Sequence, residues 1–89
     1  MSVEFVKAKA KGICTTLQSV SAKEREKHPS KVLADDYNKL RQLAITAKPE
    51  IADFLPPEIK MIEGIYGQMP EARYAEIHAF CEQIVNLLS

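Results

Sequence analysis

The sequence predicts an all-α fold, a compact bundle of four helices (three long, one short) with proline-rich connections. Apolar residues recur at intervals of three and four over long stretches, as they do on one face of an α-helix. No stretch between turn residues alternates apolar and polar positions as a half-buried strand would. Five prolines divide the 89 residues into segments of helical length, because proline disfavours helix at the preceding residue. We therefore predict one domain covering residues 1–89.

The first predicted helix begins after Ser2, a plausible N-cap, and continues to about Lys27. The charged segment 23–28 is expected to extend this helix into solvent until Pro29 ends it. Its core-facing seam alternates by three and four and consists of Val3, Val6, Ala10, Ile13, Leu17 and Val20.

The second predicted helix has Ser30 as its N-cap and ends near Ala47. Its apolar face consists of Leu33, Tyr37, Leu40, Leu43, Ala44 and Ala47. Pro49 suits the first turn of a short helical connection. The apolar residues of that connection should then fill the core, and they are Ile51, Phe54 and Leu55.

The third predicted helix is short, from Pro57 to about Tyr66, with Gly67 as the residue that ends it. Its apolar residues are Ile59, Ile62, Ile65 and Tyr66. The fourth predicted helix runs from about Glu71 to Leu88. Its seam again alternates by three and four, through Tyr74, Ile77, Cys81, Ile84 and Leu88.

Composition narrows the class of protein. The longest apolar run is far shorter than the roughly 20 residues that span a bilayer, and the first twenty residues do not resemble a signal peptide. Two cysteines are too few for a disulfide framework. We therefore expect a cytoplasmic protein without membrane contact.

The net charge is zero but its distribution is uneven. Residues 1–48 contain ten Lys or Arg against five Asp or Glu, whereas residues 49–89 contain two against seven. The opposite charges of the two halves can pair within one fold if basic helices pack against acidic ones. It can equally favour association between chains.

The segment HAFCEQ places His78, Cys81 and Glu82 close together in sequence. At about 100° per residue these side chains fan out from core to solvent, so they cannot converge on a metal or form a nucleophile with its base. Cys81 is predicted to be a buried small hydrophobe. A four-ligand metal site would also need Cys14 and a His28 folded back against two helices. We predict no catalytic residue, no metal and no cofactor.

The side of the first helix opposite its seam carries no charge. This row consists of Phe5, Ala8, Gly12, Thr16 and Ser19, where a solvated helix would carry charged residues. Ile45 and Met61 are also expected to point outward and could complete an apolar patch. Two alternatives remain open: the row packs against other helices of the same chain, or it contacts another chain. In both alternatives the first helix makes packing contacts on two opposite sides.

We predict a non-catalytic helical protein–protein interaction module, an adaptor, regulator or accessory subunit, which forms a homodimer through the first helix. Its expected interface consists of Phe5, Ala8, Gly12, Thr16, Ser19, Ile45 and Met61. The alternative is a nucleic-acid-associated accessory protein that uses the basic half of the chain, with Lys7, Lys11, Lys23, Arg25 and Lys27. Against it, no set of arginines and aromatic residues follows these lysines along one face.

Overall fold

The computed structural model describes residues 2–64 and 67–89, which form three α-helices and a small hairpin. The helices are α1 (Val3–Gln18), α2 (Lys31–Ala47) and α3 (Tyr74–Leu88), and the strands are β1 (Met61–Gly64) and β2 (Gly67–Pro70). Two short 3₁₀ helices, Glu24–Glu26 and Pro49–Phe54, lie in the connections. The prediction of an all-α bundle of four helices is therefore wrong, because a two-stranded antiparallel sheet replaces the short third helix.

The hairpin pairs Met61 with Pro70 and Gly64 with Gly67. Two glycines and a proline within ten residues make helix formation energetically unfavourable. This free-energy cost outweighs the weak helical spacing of the isoleucines. Pro70 at the end of β2 is compatible with a strand, since it has no N–H to leave unpaired in the ladder. The last two residues of the predicted helix, Ile65 and Tyr66, lie outside the described residues.

Gly64 and Gly67 have different roles in the hairpin. Gly67 has a φ of +108°, a conformation that L side chains rarely adopt. A Cβ added to Gly64 would lie 2.8 Å from the Met69 sulfur and 3.1 Å from the Gly67 carbonyl oxygen. An alanine at position 64 would therefore force the Met69 side chain and the neighbouring backbone to shift.

α1 ends at Gln18, so the prediction that it continues to Lys27 is wrong. Hydroxyl groups near its end bond to helix carbonyls: Thr16 donates to the Gly12 oxygen at 3.1 Å, and Ser19 donates to the Thr16 oxygen at 2.6 Å. Such side-chain bonds compete with continued helix formation. The chain then turns through residues 19–30, which contain only the 3₁₀ turn Glu24–Glu26.

The helix starts follow the predicted caps for α1 and α2. The Ser2 hydroxyl accepts the Phe5 N–H at 3.2 Å, and the Ser30 hydroxyl accepts the Leu33 N–H at 3.3 Å. α2 has the bounds that the sequence predicts. Pro49 opens the 3₁₀ helix after α2, as predicted.

α3 runs parallel to α2 and antiparallel to α1. At one end the Lys48 ammonium donates to the Leu87 carbonyl at 3.1 Å, which joins the last turns of α2 and α3. At the other end the Tyr74 N–H donates to the Lys27 carbonyl at 3.1 Å. The turn after α1 therefore lies against the start of α3, and α1 begins where the other two helices end.

One core lies between the three helices. α1 contributes Val6, Ala10, Cys14 and Leu17; α2 contributes Ala34, Tyr37, Leu40 and Ala44; α3 contributes Ile77, Cys81, Ile84 and Leu88. Ile51, Ile59 and Ala72 close it from the connections. Phe54, which was expected to fill the core, is 71% exposed. Within the described residues, none of the helices combines the length and the apolar character needed to cross a membrane.

Candidate interaction surface

The outer row of α1 consists of Phe5, Ala8, Gly12, Thr16 and Ser19, and all five residues are exposed. Phe5 alone is 58% exposed. The opposite face of the same helix is buried in the core. The row therefore does not pack against other helices of its own chain among the described residues.

Two features make the outer row smooth and weakly polar. A Cβ added to Gly12 would meet no atom within 4 Å, so the helix backbone is open to close approach there. The Thr16 and Ser19 hydroxyls already donate to carbonyls of α1. The row therefore presents methyl and methylene groups, one aromatic ring and bare backbone.

Charged residues border the outer row on both sides. On a wheel of about 100° per residue, Lys9 lies on one side and Glu4 and Lys11 lie on the other. All three are exposed. A weakly polar strip with a charged margin has the anatomy of a contact surface, in which an apolar centre is surrounded by a polar rim.

The other two residues of the predicted interface are Ile45 and Met61, and Ile45 on α2 is partly exposed. Met61 is partly buried against the core and paired with Pro70, near the start of α3 and far from Phe5. The sequence missed Phe54, which lies after the end of α2 and therefore at the same end of the bundle as Phe5. No helical periodicity covers this 3₁₀ segment, so the sequence offered no signal for its exposure.

Of the HAFCEQ residues, Cys81 is fully buried as predicted, whereas Glu82 is exposed. His78 Nε2 lies 3.3 Å from Glu82 Oε1 but forms no hydrogen bond with it or with any other described residue. Within residues 2–64 and 67–89, no three His, Cys, Asp or Glu side chains are placed to hold a metal ion.

Cys14 on α1 and Cys81 on α3 are both free and buried in the core. Burial raises the pKa of the Cys81 thiol to about 12, and Cys14 adds to this shift. Burial also raises the pKa of Cys14, with a contribution from the Glu82 carboxylate, while Cys81 acts in the opposite direction. Both groups are protonated at neutral pH.

Two clefts open on the surface of the described residues. One of about 380 Å³ lies between α1 and α3 and is lined by Lys11, Cys14, Thr15, Gln18, Glu82, Val85 and Asn86. Another of about 360 Å³ lies beside the hairpin and is lined by Pro57, Glu58, Ile59, Lys60, Glu71, Ala72, Glu76 and Phe80. The first cleft is lined by both the Cys14 thiol and the Glu82 carboxylate, and burial raises the pKa of that thiol.

The basic residues considered for nucleic-acid binding are divided between two elements. Lys7 and Lys11 lie on α1, but the other three lie in the turn that follows its early end: Lys23, Arg25 and Lys27. Lys27 pairs with Glu24 at 3.2 Å, and the Arg25 guanidinium donates to the Val20 carbonyl at 3.4 Å. Lys23, Arg25 and Lys27 therefore do not continue the helical face of α1 on which Lys7 and Lys11 lie.

No protein-family model, curated protein or solved structure matches this chain.

Proposed function

We propose that this protein is a non-catalytic helical interaction module that self-associates through the outer row of α1. The observation that carries the proposal is an uncharged row of five exposed residues on a helix whose opposite face builds the core. A solvent-facing side of a surface helix is normally rich in charged residues. The absence of charge over four turns of α1 is accounted for by a second helix packing on it.

A second copy of the same chain fits this row. Small residues spaced by four allow two helices to approach closely, and a two-fold axis brings a surface against itself. An antiparallel crossing centred between Ala8 and Gly12 would place Phe5 of each copy beside the Thr16 end of the other. Burial of the exposed Phe5 ring contributes on the order of 1–3 kcal/mol per copy.

The size of the chain also supports self-association. A domain of this length buries only about 60–65% of the surface that its unfolded chain exposes, so the folding stability of a single copy is marginal. Covering the outer row would add apolar burial that one copy lacks. Two free cysteines are typical of a reducing compartment, and we include a cytoplasmic location in the proposal.

The test compares the same substitution at two exposed alanines. Ala8→Glu places a charge in the outer row, whereas Ala75→Glu places it on the exposed side of α3 as a control. Light scattering over a dilution series should show dimers for the parent and for Ala75→Glu, and monomers for Ala8→Glu. Circular dichroism should show that both variants keep the helical content of the parent.

The salt dependence separates this function from the nucleic-acid alternative. An apolar contact persists or tightens as salt is added, because screening affects only exposed charges. Binding to a DNA or RNA oligonucleotide would weaken steeply with salt. A parent protein that stays monomeric at all concentrations, or an Ala8→Glu variant that dimerises as the parent does, contradicts the proposal.

A further inference from the structure

The outer edge of β1 carries backbone groups that face away from the hairpin. The Glu71 N–H donates to the Lys60 carbonyl at 2.8 Å, so these two residues form a hydrogen-bonded pair just before the strands begin. Bonded and unbonded pairs alternate along an antiparallel ladder, and the register from this point is continuous. Met61 and Glu63 therefore direct their N–H and C=O groups outward. Among the described residues, none bonds to these groups.

Side chains cover the neighbouring edge positions but not these two. Asn38 bonds both backbone groups of Ile59, which precedes Met61 by two residues on the same edge. On the opposite edge of the hairpin, His28 Nδ1 donates to the Pro70 carbonyl at 2.7 Å, and Pro70 has no N–H. Proline and covering groups protect a strand edge against pairing. The edge of β1 keeps its pairing groups available beyond the point that Asn38 covers.

One face of this edge leads into the cleft of about 360 Å³ beside the hairpin. Side chains alternate along a strand, so Lys60 and Ile62 share a face. Ile62 is 41% exposed, and Lys60 lines the cleft. Three carboxylates line the cleft with that single lysine, and they belong to Glu58, Glu71 and Glu76. An exposed apolar side chain therefore lies next to a cleft with an excess of negative charge.

We propose that the outer edge of β1 binds an extended segment of a partner protein, which adds as an antiparallel strand and carries basic residues after its paired part. The backbone of the segment pairs with Met61 and Glu63, and an apolar side chain opposite Ile62 packs against it. An antiparallel segment runs from Glu63 towards Met61, so the residues that follow the paired part lie nearest to the cleft. Lysine or arginine at that end is complementary to the carboxylates of the cleft.

Charge favours a basic partner over a second copy of this chain. Two copies of the edge bond all of these groups only when they pair about a two-fold axis at Ile62. The two Glu63 carboxylates would then be diagonal neighbours, with about 7–8 Å between the two residues, and like charges so placed oppose pairing. The edge and the cleft share no residue with the outer row of α1. This proposal therefore does not depend on the proposed self-association.

The experiment measures the binding of fluorescein-labelled peptides to the full-length chain by fluorescence anisotropy. The probe peptide has alternating threonine and valine residues followed by a run of arginines. With a valine opposite Ile62, the threonine N–H groups face β1 and the valine N–H groups face away. N-methylation of the threonines should therefore abolish binding, whereas N-methylation of the valines should preserve it. A peptide that ends in glutamates should bind at least about tenfold more weakly than the arginine peptide.

Two proline variants test which edge of the hairpin is used. Glu63→Pro removes an outward N–H without removing a bond between the strands, and Gln68→Pro makes the same change in its partner on the opposite edge. Glu63→Pro should bind the arginine peptide at least about tenfold more weakly, and Gln68→Pro should bind it as the parent does. Glu63→Gln removes the same charge but keeps the N–H, so it should also bind. Circular dichroism checks that each variant is folded.

A pair of charge reversals tests the cleft. Glu71→Lys places a positive charge in the cleft and should weaken binding of the arginine peptide, whereas Glu50→Lys makes the same change outside it and should not.

The proposal is overturned if the arginine peptide shows no binding up to about 1 mM, or if the two N-methylated peptides bind equally well. It is also overturned if a folded Glu63→Pro variant binds as the parent does, or if the arginine and glutamate peptides bind alike. A parent dimer that Glu63→Pro dissociates would assign the edge to a second copy and overturn the proposed partner.

Discussion

The side-chain amide of Asn38 forms two hydrogen bonds with the backbone of Ile59. Its Nδ2 donates to the Ile59 carbonyl at 3.0 Å, and its Oδ1 accepts the Ile59 N–H at 2.9 Å. Asn38 lies on α2, whereas Ile59 lies in the extended segment that leads into β1. The Asn38 side chain thus forms the two backbone hydrogen bonds that a neighbouring strand would form with Ile59. It attaches the segment before the hairpin to the helical core.

We expect Asn38→Ala to lower the free energy of unfolding by about 2–3 kcal/mol. The substitution removes two hydrogen bonds and leaves the N–H of the buried Ile59 without its partner. Urea unfolding followed by circular dichroism measures the change. Asn38→Asp keeps the acceptor but not the donor and should fall between the parent and the alanine variant. A loss below about 0.5 kcal/mol for Asn38→Ala would show that the hairpin is held by other contacts.

Local signals explain which elements could be predicted from the sequence. Both bounds of α2 follow from Ser30, which caps the first turn, and from Pro49, which follows the last turn. The early end of α1 could not be predicted from periodicity, because Val20 continues the apolar spacing beyond Gln18, the last residue of the helix.

Long-range contacts explain what could not be predicted. The isoleucines of residues 59–65 follow a helical spacing, but the bonds from Asn38 hold Ile59 in an extended segment. Likewise, the burial of Cys14 depends on how α1 is rotated against α3, which no local pattern specifies. The outer row of α1 was predicted because charge is missing over several turns of a single helix.

Cys81→Ser should destabilise the protein by about 1–3 kcal/mol, since it places a hydroxyl at a fully buried position. Cys81→Ala is the comparison, because it removes the sulfur without adding a polar group. Thermal or urea unfolding under reducing conditions measures both. A serine variant within about 0.3 kcal/mol of the parent would contradict the burial of this side chain.

The protein should lose stability between about pH 9 and pH 12 through the ionisation of Cys81. Its folded pKa is about 12, against an ordinary value of 9.0, so above pH 9 the unfolded chain releases this proton more readily. Ionisation of Cys81 therefore leaves the free energy of unfolding unchanged below pH 9. Above pH 9 it lowers that free energy by up to about 1.4 kcal/mol per pH unit. Tyr37, whose pKa burial also raises, adds to the loss above pH 10. Urea unfolding from pH 8 to 11 should give a shallower slope for Cys81→Ala, and an unchanged slope would assign the loss to other groups.

Gly12→Ala and Gly64→Ala should change stability in opposite directions. At Gly12 the new Cβ enters open space on a helix, so the variant should gain up to about 1 kcal/mol in the free energy of unfolding. At Gly64 the new Cβ would lie 2.8 Å from the Met69 sulfur and 3.1 Å from the Gly67 carbonyl oxygen, so the variant should lose about 1–3 kcal/mol. Urea unfolding at a concentration where the protein is monomeric measures both. A loss of stability at Gly12 under those conditions would show that α1 is packed on its outer side within one chain, which contradicts the exposed outer row.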